Sequence, residues 1–169
     1  MQGHEHPPLA RETMIDRYAR QPAVLSDLAE RLGPAELQRP ARPAGWSAHQ
    51  VLVHVRDVEI QAYLPRLERI LDEADPLFAD FDAERWMSTH YLPAEPVNTV
   101  LADFAAARVG GLALIRGLAA ADWQRPGRHP DIGSRPFEWW ITRAVEHAEE
   151  HLVELAGRLA SLGVGGLNG

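Results

Sequence analysis

The 169-residue sequence contains no cysteine and no lysine. Without cysteine the chain has no disulfide, no thiolate metal site and no cysteine nucleophile, so any reactive thiol must arrive with a substrate or cosubstrate. All 17 basic residues are arginines, and 24 acidic residues give a formal net charge of −7. Phosphate binding requires a concentrated basic surface, so this balance argues against a nucleic-acid partner.

Long apolar runs are also missing. The opening stretch "MQGHEHPPLA" has neither a basic segment nor an apolar one, which excludes a signal peptide, and no run approaches the length of a membrane span. Hydrophobic residues make up 46% of the chain and charged residues 24%, as in ordinary globular proteins. We therefore expect one cytoplasmic domain over residues 1–169, without a membrane partner and with flexible ends at about 1–8 and 163–169.

Alternation typical of strands is absent too, and helical periodicity dominates. The periodicity predicts four helices, at about 9–32, 47–71, 98–118 and 135–162. Pro22 is expected to kink the first helix or to mark a restart, Pro65 to bend the second near its middle, and Gly33-Pro34 to end the first. Ser47 and Gln50 form a capping box at the start of the second. Four amphipathic helices with long connections predict an all-α four-helix bundle, in either crossover or simple up-down-up-down order.

A short internal repeat precedes the second and fourth helices. "QRPAR" at 38–42 returns as "QRPGR" at 124–128. Two helix–loop–helix halves related by a pseudo-two-fold would explain the repeat and make the second and fourth helices equivalent. In the third helix, the pair Gly110-Gly111 indicates a close backbone approach.

Three of the eight histidines share a predicted interior position. His147 and His151 are four residues apart and leave the same face of the fourth helix, while His54 lies between apolar neighbours in the second. Burial keeps an imidazole neutral, and a neutral imidazole is what a divalent metal binds. The alternative is three core histidines bonded to carbonyls or carboxylates. The remaining histidines are expected in a flexible arm (His4, His6), in solvent at a first helical turn (His49) and in connectors (His90, His129).

Other polar and aromatic residues are candidates for the same site. Asp57 follows His54 and can orient a ligand or act as a base, whereas Glu59 is expected on the solvated face. Arg143 precedes His147 by one turn, where it would meet an anionic cosubstrate or form an exposed ion pair. The tryptophans that either line the pocket mouth or fill the core are Trp86, Trp139 and Trp140.

Taken in order, these motifs resemble the DinB/YfiT-like superfamily of four-helix proteins. The resemblance rests on "GWS" at 45–47, on His54 seven residues after that serine, and on the H-x-x-x-H pattern of His147 and His151. "FDAERW" and "DWQRPGRHPDIG" in the connectors, and "RPFEWW" at the last helix, resemble the YfiT branch in particular. The resemblance extends over about residues 15–162.

The resemblance implies a bundle with up-down-down-up topology and a divalent metal held by His54, His147 and His151. Zinc or nickel is the leading expectation for the metal, with iron or manganese as alternatives, and a homodimer is expected. Characterised relatives transfer the low-molecular-weight thiols bacillithiol or mycothiol, including a maleylpyruvate isomerase. We therefore expect a thiol S-transferase or isomerase acting on a small electrophile. The alternatives are a metal-dependent hydrolase of an amide or ester, and a non-catalytic bundle that a metal stabilises.

Overall fold

The computed structural model describes residues 10–165, so the arm with His4 and His6 and the end of the predicted flexible tail lie outside the described residues. Four long helical elements form the bundle, and shorter elements occupy the connectors. The bounds are α1 Arg11–Gln38, α2 Ala48–Val58, a π-helical segment Glu59–Tyr63, α3 Leu64–Asp72, α4 Ala83–His90, α5 Val97–Arg116, a 3₁₀ turn Asp122–Gln124, β1 Pro126–His129, β2 Gly133–Pro136 and α6 Phe137–Gly165.

α1 departs from helical geometry at one residue, Gly33, whose φ of 74° is accessible to glycine at little cost. The predicted stop at this position is therefore confirmed, and a short helical turn follows to Gln38. A restart of the helix at Pro22 is wrong, since the backbone there keeps helical φ and ψ, and the kink stays a prediction. Gln21 beside it is buried, and its side-chain amide donates to the Val145 carbonyl at 2.8 Å.

The predicted capping box opens α2. The Ser47 hydroxyl accepts from the Gln50 amide at 3.2 Å, and the Gln50 side chain accepts from the Ser47 amide at 2.9 Å. The predicted bend at Pro65 takes the form of the π-helical segment immediately before α3. Proline has no N–H, and its ring clashes with the carbonyl four residues earlier, so widening the helix there relieves the strain.

Side-chain contacts between the helices define an up-down-down-up bundle. α1 is parallel to α6 and antiparallel to α2, and the segment from α2 to α3 is parallel to α5. Arg11–Glu138 and Gln21–Val145 join α1 to α6, and Tyr18–Glu59 joins α1 to the segment after α2. Trp46–Arg158 and His54–His147 show that α2 is antiparallel to α6. Arg56–Asp103 and Leu64–Gly110 show that the segment from α2 to α3 is parallel to α5. The predicted all-α bundle is confirmed, with the crossover order.

The expectation of no strands is wrong for the segment before α6. β1 and β2 pair antiparallel, with Gly133 at φ 78° after the turn. Four residues per strand are too few to show alternation in the sequence, and the pairing delays the start of α6 to Phe137. The bridge between Pro40 and Ser47 is the counterpart before α2. Each copy of the QRP repeat thus enters a short extended pair that leads into a bundle helix.

The apolar faces of the bundle helices meet in two buried clusters. Phe104 of α5 belongs to one, and Trp140 and Ile141 of α6 belong to the other. α5 is the one described helix long and apolar enough to cross a membrane by composition. α5 packs on α1 and α2, and these contacts place Phe104 inside the bundle.

Candidate metal centre

The three histidines converge in the structure. The Nε2 atoms of His54 and His147 are 3.1 Å apart, and the ring centroid of His151 lies 4.9 Å from each of the other two. One ring nitrogen from each histidine can be chosen so that all three lie within 4.8 Å of one another. α2 therefore supplies one imidazole, and two successive turns of α6 supply the other two.

Burial keeps two of the imidazoles neutral. The pKa of His54 is lowered to about 4, chiefly by loss of solvent and then by the nearby His151, with Glu154 opposing the shift. The pKa of His147 is lowered to about 3, chiefly by loss of solvent and then by the surrounding histidines and arginines. Both rings therefore carry a free lone pair at neutral pH.

A carboxylate orients the third imidazole. Nδ1 of His151 donates to Glu154 at 3.2 Å, because a carboxylate can only accept. The proton on Nδ1 leaves the lone pair on Nε2, as in metal sites where a carboxylate fixes the tautomer of a ligand. Arg158 bonds both Glu154 and the Trp46 carbonyl, so the carboxylate is itself held in place.

The geometry and chemistry of the three rings fit a divalent metal. Two nitrogens bound to one ion at about 2.0–2.1 Å lie about 3.0–3.4 Å apart, and the separation of 3.1 Å between His54 and His147 falls in this range. Nδ1 of His54 is buried without a hydrogen-bond partner among residues 10–165. Imidazole suits zinc, nickel, copper and iron. Three histidines also match the ligand number of catalytic rather than structural zinc sites.

A shallow cavity adjoins the cluster across one aromatic ring. The Trp46 ring centroid is 5.1 Å from that of His54, and Trp46 also lines a cavity of about 360 Å³. On the side facing α3, the Tyr63 ring is 5.7 Å from His147. The remaining residues that line the cavity come from α2 and α4: Gln50, Glu84, Met87 and Ser88.

Asp57 takes part in a network on the outer side of α2. Its carboxylate accepts from Arg56 Nε at 2.7 Å and from the Trp86 indole at 3.1 Å. Arg56 also forms two hydrogen bonds to Glu95 in the connector. This network attaches α4 to α2, so Asp57 holds the helix that carries one wall of the cavity. Among the described residues, no hydrogen bond joins Asp57 to the three histidines.

The other catalytic candidate, Arg143, forms the ion pair that was one of its two expected roles. Its guanidinium bonds Glu146, and its side chain is 38% exposed. Its charge still helps to lower the pKa of His147. Of the three tryptophans, Trp140 lies in the core, and Trp139 packs against the same core while partly exposed. Trp86 stacks on His90, with the two ring centroids 3.8 Å apart.

Two expectations of solvent exposure are wrong. His49 is 1% exposed, because the connector covers it. Its Nε2 donates to the Glu95 carbonyl at 2.8 Å, and its Nδ1 accepts from Tyr91 at 2.9 Å. Glu59 is also 1% exposed, and its partners lie on α1 and α5. Both partnerships join residues about 40 or more apart in sequence, which local periodicity does not reveal.

Proteins similar to this chain occur in several bacteria. A protein of Oceanobacillus iheyensis named "putative metal-dependent hydrolase" is 26% identical over 134 residues, covering 79% of this chain and 77% of its own. Proteins with the same description from Bacillus cereus and Bacillus licheniformis are 27% and 24% identical. The first alignment covers 85% of this chain and 84% of the relative, and the second covers 90% and 86%.

Two solved structures share the fold. YfiT from Bacillus subtilis, described as a "probable metal-dependent hydrolase with an unusual four-helix bundle topology", matches with a TM-score of 0.83 at 23% identity, over 96% of this chain and 94% of its own. The DinB-like protein YjoA from the same organism matches with a TM-score of 0.59 at 13% identity, over 89% and 92%. The family model of the DinB superfamily matches residues 17–155. With the matched fold and most of its length inside that match, the chain belongs to the DinB superfamily.

Proposed function

We propose that the protein is an enzyme that holds a divalent metal, zinc or nickel, through His54, His147 and His151. The observation that carries the proposal is the 3.1 Å approach of two imidazoles kept neutral by burial, with a third oriented by Glu154. A divalent ion with three histidine ligands and open positions lowers the pKa of a bound thiol or water, which supplies a nucleophile at neutral pH.

The nucleophile that we favour is the thiol of a low-molecular-weight cosubstrate. Hydrolysis of an amide calls for a general base or acid, and two of the carboxylates near the cluster are engaged. Glu154 bonds His151 and Arg158, and Glu59 bonds Tyr18 and Arg108. A thiol is far more acidic than water and needs less help to lose its proton. In the proposed transfer, a sulfur–carbon bond forms, the thiol proton passes to solvent, and the leaving group departs with its electron pair.

Hydrolysis of an amide or ester is the second candidate. It is favoured by the names of the relatives, which describe metal-dependent hydrolases. Both reactions use the same histidines, so they differ in the nucleophile and in the need for a thiol.

We place the substrate in the 360 Å³ cavity beside Trp46. Trp46 lines this cavity and packs against His54, so a molecule bound there lies on the far side of one ring from the cluster. Trp46 and Met87 offer an apolar surface, while Glu84 and Ser88 offer hydrogen-bond acceptors, which suits a small molecule with an apolar body and a donor group.

One experiment separates the candidates. Protein loaded with zinc or nickel is assayed with a generic electrophile and bacillithiol, mycothiol or glutathione, and in parallel with ester and amide substrates without thiol. Thiol-dependent consumption of the electrophile, lost with His54→Ala, supports transfer, and thiol-free turnover lost in the same variant supports hydrolysis. A metal-dependent rise in Tm without turnover in either assay supports a non-catalytic bundle. The homodimer and the cytoplasmic location stay predictions.

A further inference from the structure

A buried polar cluster lies between the helices that carry the three histidines. It consists of Tyr18 on α1, Glu59 at the start of the π-helical segment and Arg108 on α5. The Tyr18 hydroxyl donates to Glu59 at 2.8 Å, and Arg108 Nη2 lies 3.3 Å from the other carboxylate oxygen. The side chains of the ion pair are 1–2% exposed, so neither charge is solvated by bulk water.

The cluster contacts both histidine-bearing elements. Arg108 Nη2 donates to the Ala144 carbonyl at 3.1 Å, and Ala144 precedes His147 by three residues on α6. Glu59 follows His54 by five residues and is itself buried. One guanidinium therefore contacts a residue within one and a half helical turns of each histidine, by an ion pair with Glu59 on one side and a hydrogen bond to the Ala144 carbonyl on the other.

Packing stability does not explain the burial of this guanidinium. Arg108 lies over the Tyr18 ring at 3.9 Å and the Phe104 ring at 4.8 Å. Its Nε and Nη1 atoms have no hydrogen-bond partner among the described residues, which leaves two donors unsatisfied. Replacing a buried ion pair with apolar residues of similar size is often neutral or stabilising, so this arrangement points to a role in geometry.

We propose that Arg108 is a positioning residue that sets the separation of His54 and His147, with Glu59 and Tyr18 holding its guanidinium in place. The proposal rests on the proposed metal site. The positioning role also explains the π-helical segment, because this segment directs Glu59 into the bundle within two turns of His54. π-Helical turns are frequent at functional sites for this kind of reason.

The test compares Arg108→Met and Arg108→Lys with Ile70→Ala, a cavity variant in the buried core of α3 outside the cluster. Two readouts are taken on each protein. Cobalt(II) affinity and the visible absorption of bound cobalt report on the ligand geometry. Imidazole ¹⁵N shifts of the metal-free protein report on the contact between the His54 and His147 rings.

The positioning role predicts that Arg108→Met weakens cobalt binding at least tenfold and changes the absorption band, and that it shifts the imidazole signals of His54 and His147. Arg108→Lys, which keeps the charge but only one donor group, should recover part of the affinity. Ile70→Ala should lower Tm with unchanged cobalt affinity. If Arg108→Met fails to fold, Arg108→Lys carries the same comparison.

Unchanged cobalt affinity and imidazole shifts in a folded Arg108 variant would overturn the proposal. If the native protein binds no cobalt, the proposed metal site fails, and the imidazole shifts of the metal-free proteins still decide whether Arg108 positions the rings.

Discussion

The Nε2 atoms of His54 and His147 lie 3.1 Å apart, although 93 residues separate the two histidines in sequence. They come from antiparallel helices, and each ring is held neutral by burial. Without a metal, one ring must donate its proton to the lone pair of the other. With one, both lone pairs point to a single ion, which is the arrangement that the proposed function requires.

The first prediction concerns metal content. We expect close to one divalent ion per chain, and we expect His54→Gln or His147→Gln to weaken binding by at least about 100-fold, since even indirect partners of ligands contribute 10–100-fold. Elemental analysis and competition with a chelator measure both quantities. His90→Gln is the matched control, because His90 is exposed and stacks on Trp86 outside the cluster. Equal affinity in all three variants would contradict the assignment.

The second prediction concerns the pH dependence of the metal-free protein. The pKa values of His54 and His147 are about 4 and about 3 in the folded chain, below the ordinary value of 6.5. At a pH between the folded and the unfolded pKa, the unfolded chain binds more protons than the folded chain. The free energy of unfolding therefore falls as pH falls below 6.5. We expect a loss on the order of 3 kcal/mol for each ring by pH 4, about 6 kcal/mol for the pair.

Chemical unfolding of the metal-free protein at pH 7, 5.5 and 4 measures this loss. The matched variant is His54→Gln combined with His147→Gln, in which the pH-dependent part assigned to these two rings should disappear. An identical slope in the native protein and the double variant would mean that other groups cause the acid sensitivity.

Local signals predicted the bundle and two of the three histidines that converge. The capping box of Ser47 and the spacing of His147 and His151 depend on residues within one helical turn, so the sequence displays them directly. The Gly33 stop is local for the same reason. Where the prediction failed, tertiary contacts decided the outcome. His49 is covered by Tyr91 and Glu95 of the connector, more than 40 positions away, and no pattern in α2 predicts these contacts.

Three further outcomes have their own physical reasons. Pro22 was expected to kink or restart α1, and helical φ and ψ continue through it, because a proline removes only one hydrogen bond from a helix of 28 residues. The β1–β2 pair was missed because its strands are four residues long and rich in proline, glycine and arginine. Asp57 looked like a candidate base from its place near His54, yet its bonds to Arg56 and Trp86 are visible only in three dimensions.

The third prediction uses the glycine pair of α5. A Cβ at Gly111 would overlap the Tyr18 hydroxyl, which is the group that bonds buried Glu59. We expect Gly111→Ala to destabilise the protein by about 2–4 kcal/mol, from steric strain and the lost bond. At Gly110, the nearest atom to a new Cβ is a Leu64 methyl at 3.7 Å. Gly110→Ala should therefore be neutral or stabilise the helix by up to about 1 kcal/mol.

Thermal and chemical unfolding of the two variants give the comparison. Because the substitutions are identical and adjacent in one helix, differences in helix propensity cancel. Equal stability of the two variants would show that Tyr18 is not held against the backbone of α5 at this position.

The fourth prediction tests the place of the substrate. Ser88→Trp adds a large ring at the rim of the 360 Å³ cavity beside Trp46. A second cavity, of about 400 Å³, is lined by residues of α1 and α5, and Ala102→Trp fills it in the same way. Ser88 and Ala102 are both exposed, so either ring can be accommodated without disturbing the core.

We expect Ser88→Trp to raise KM for the electrophile at least about tenfold, as for a loss of contacts worth about 1.4 kcal/mol, with unchanged metal content. Ala102→Trp should leave both quantities as they are in the native protein. Steady-state kinetics with elemental analysis of the same samples measures the pair, and a larger effect from Ala102→Trp would move the substrate to the opposite face of the bundle.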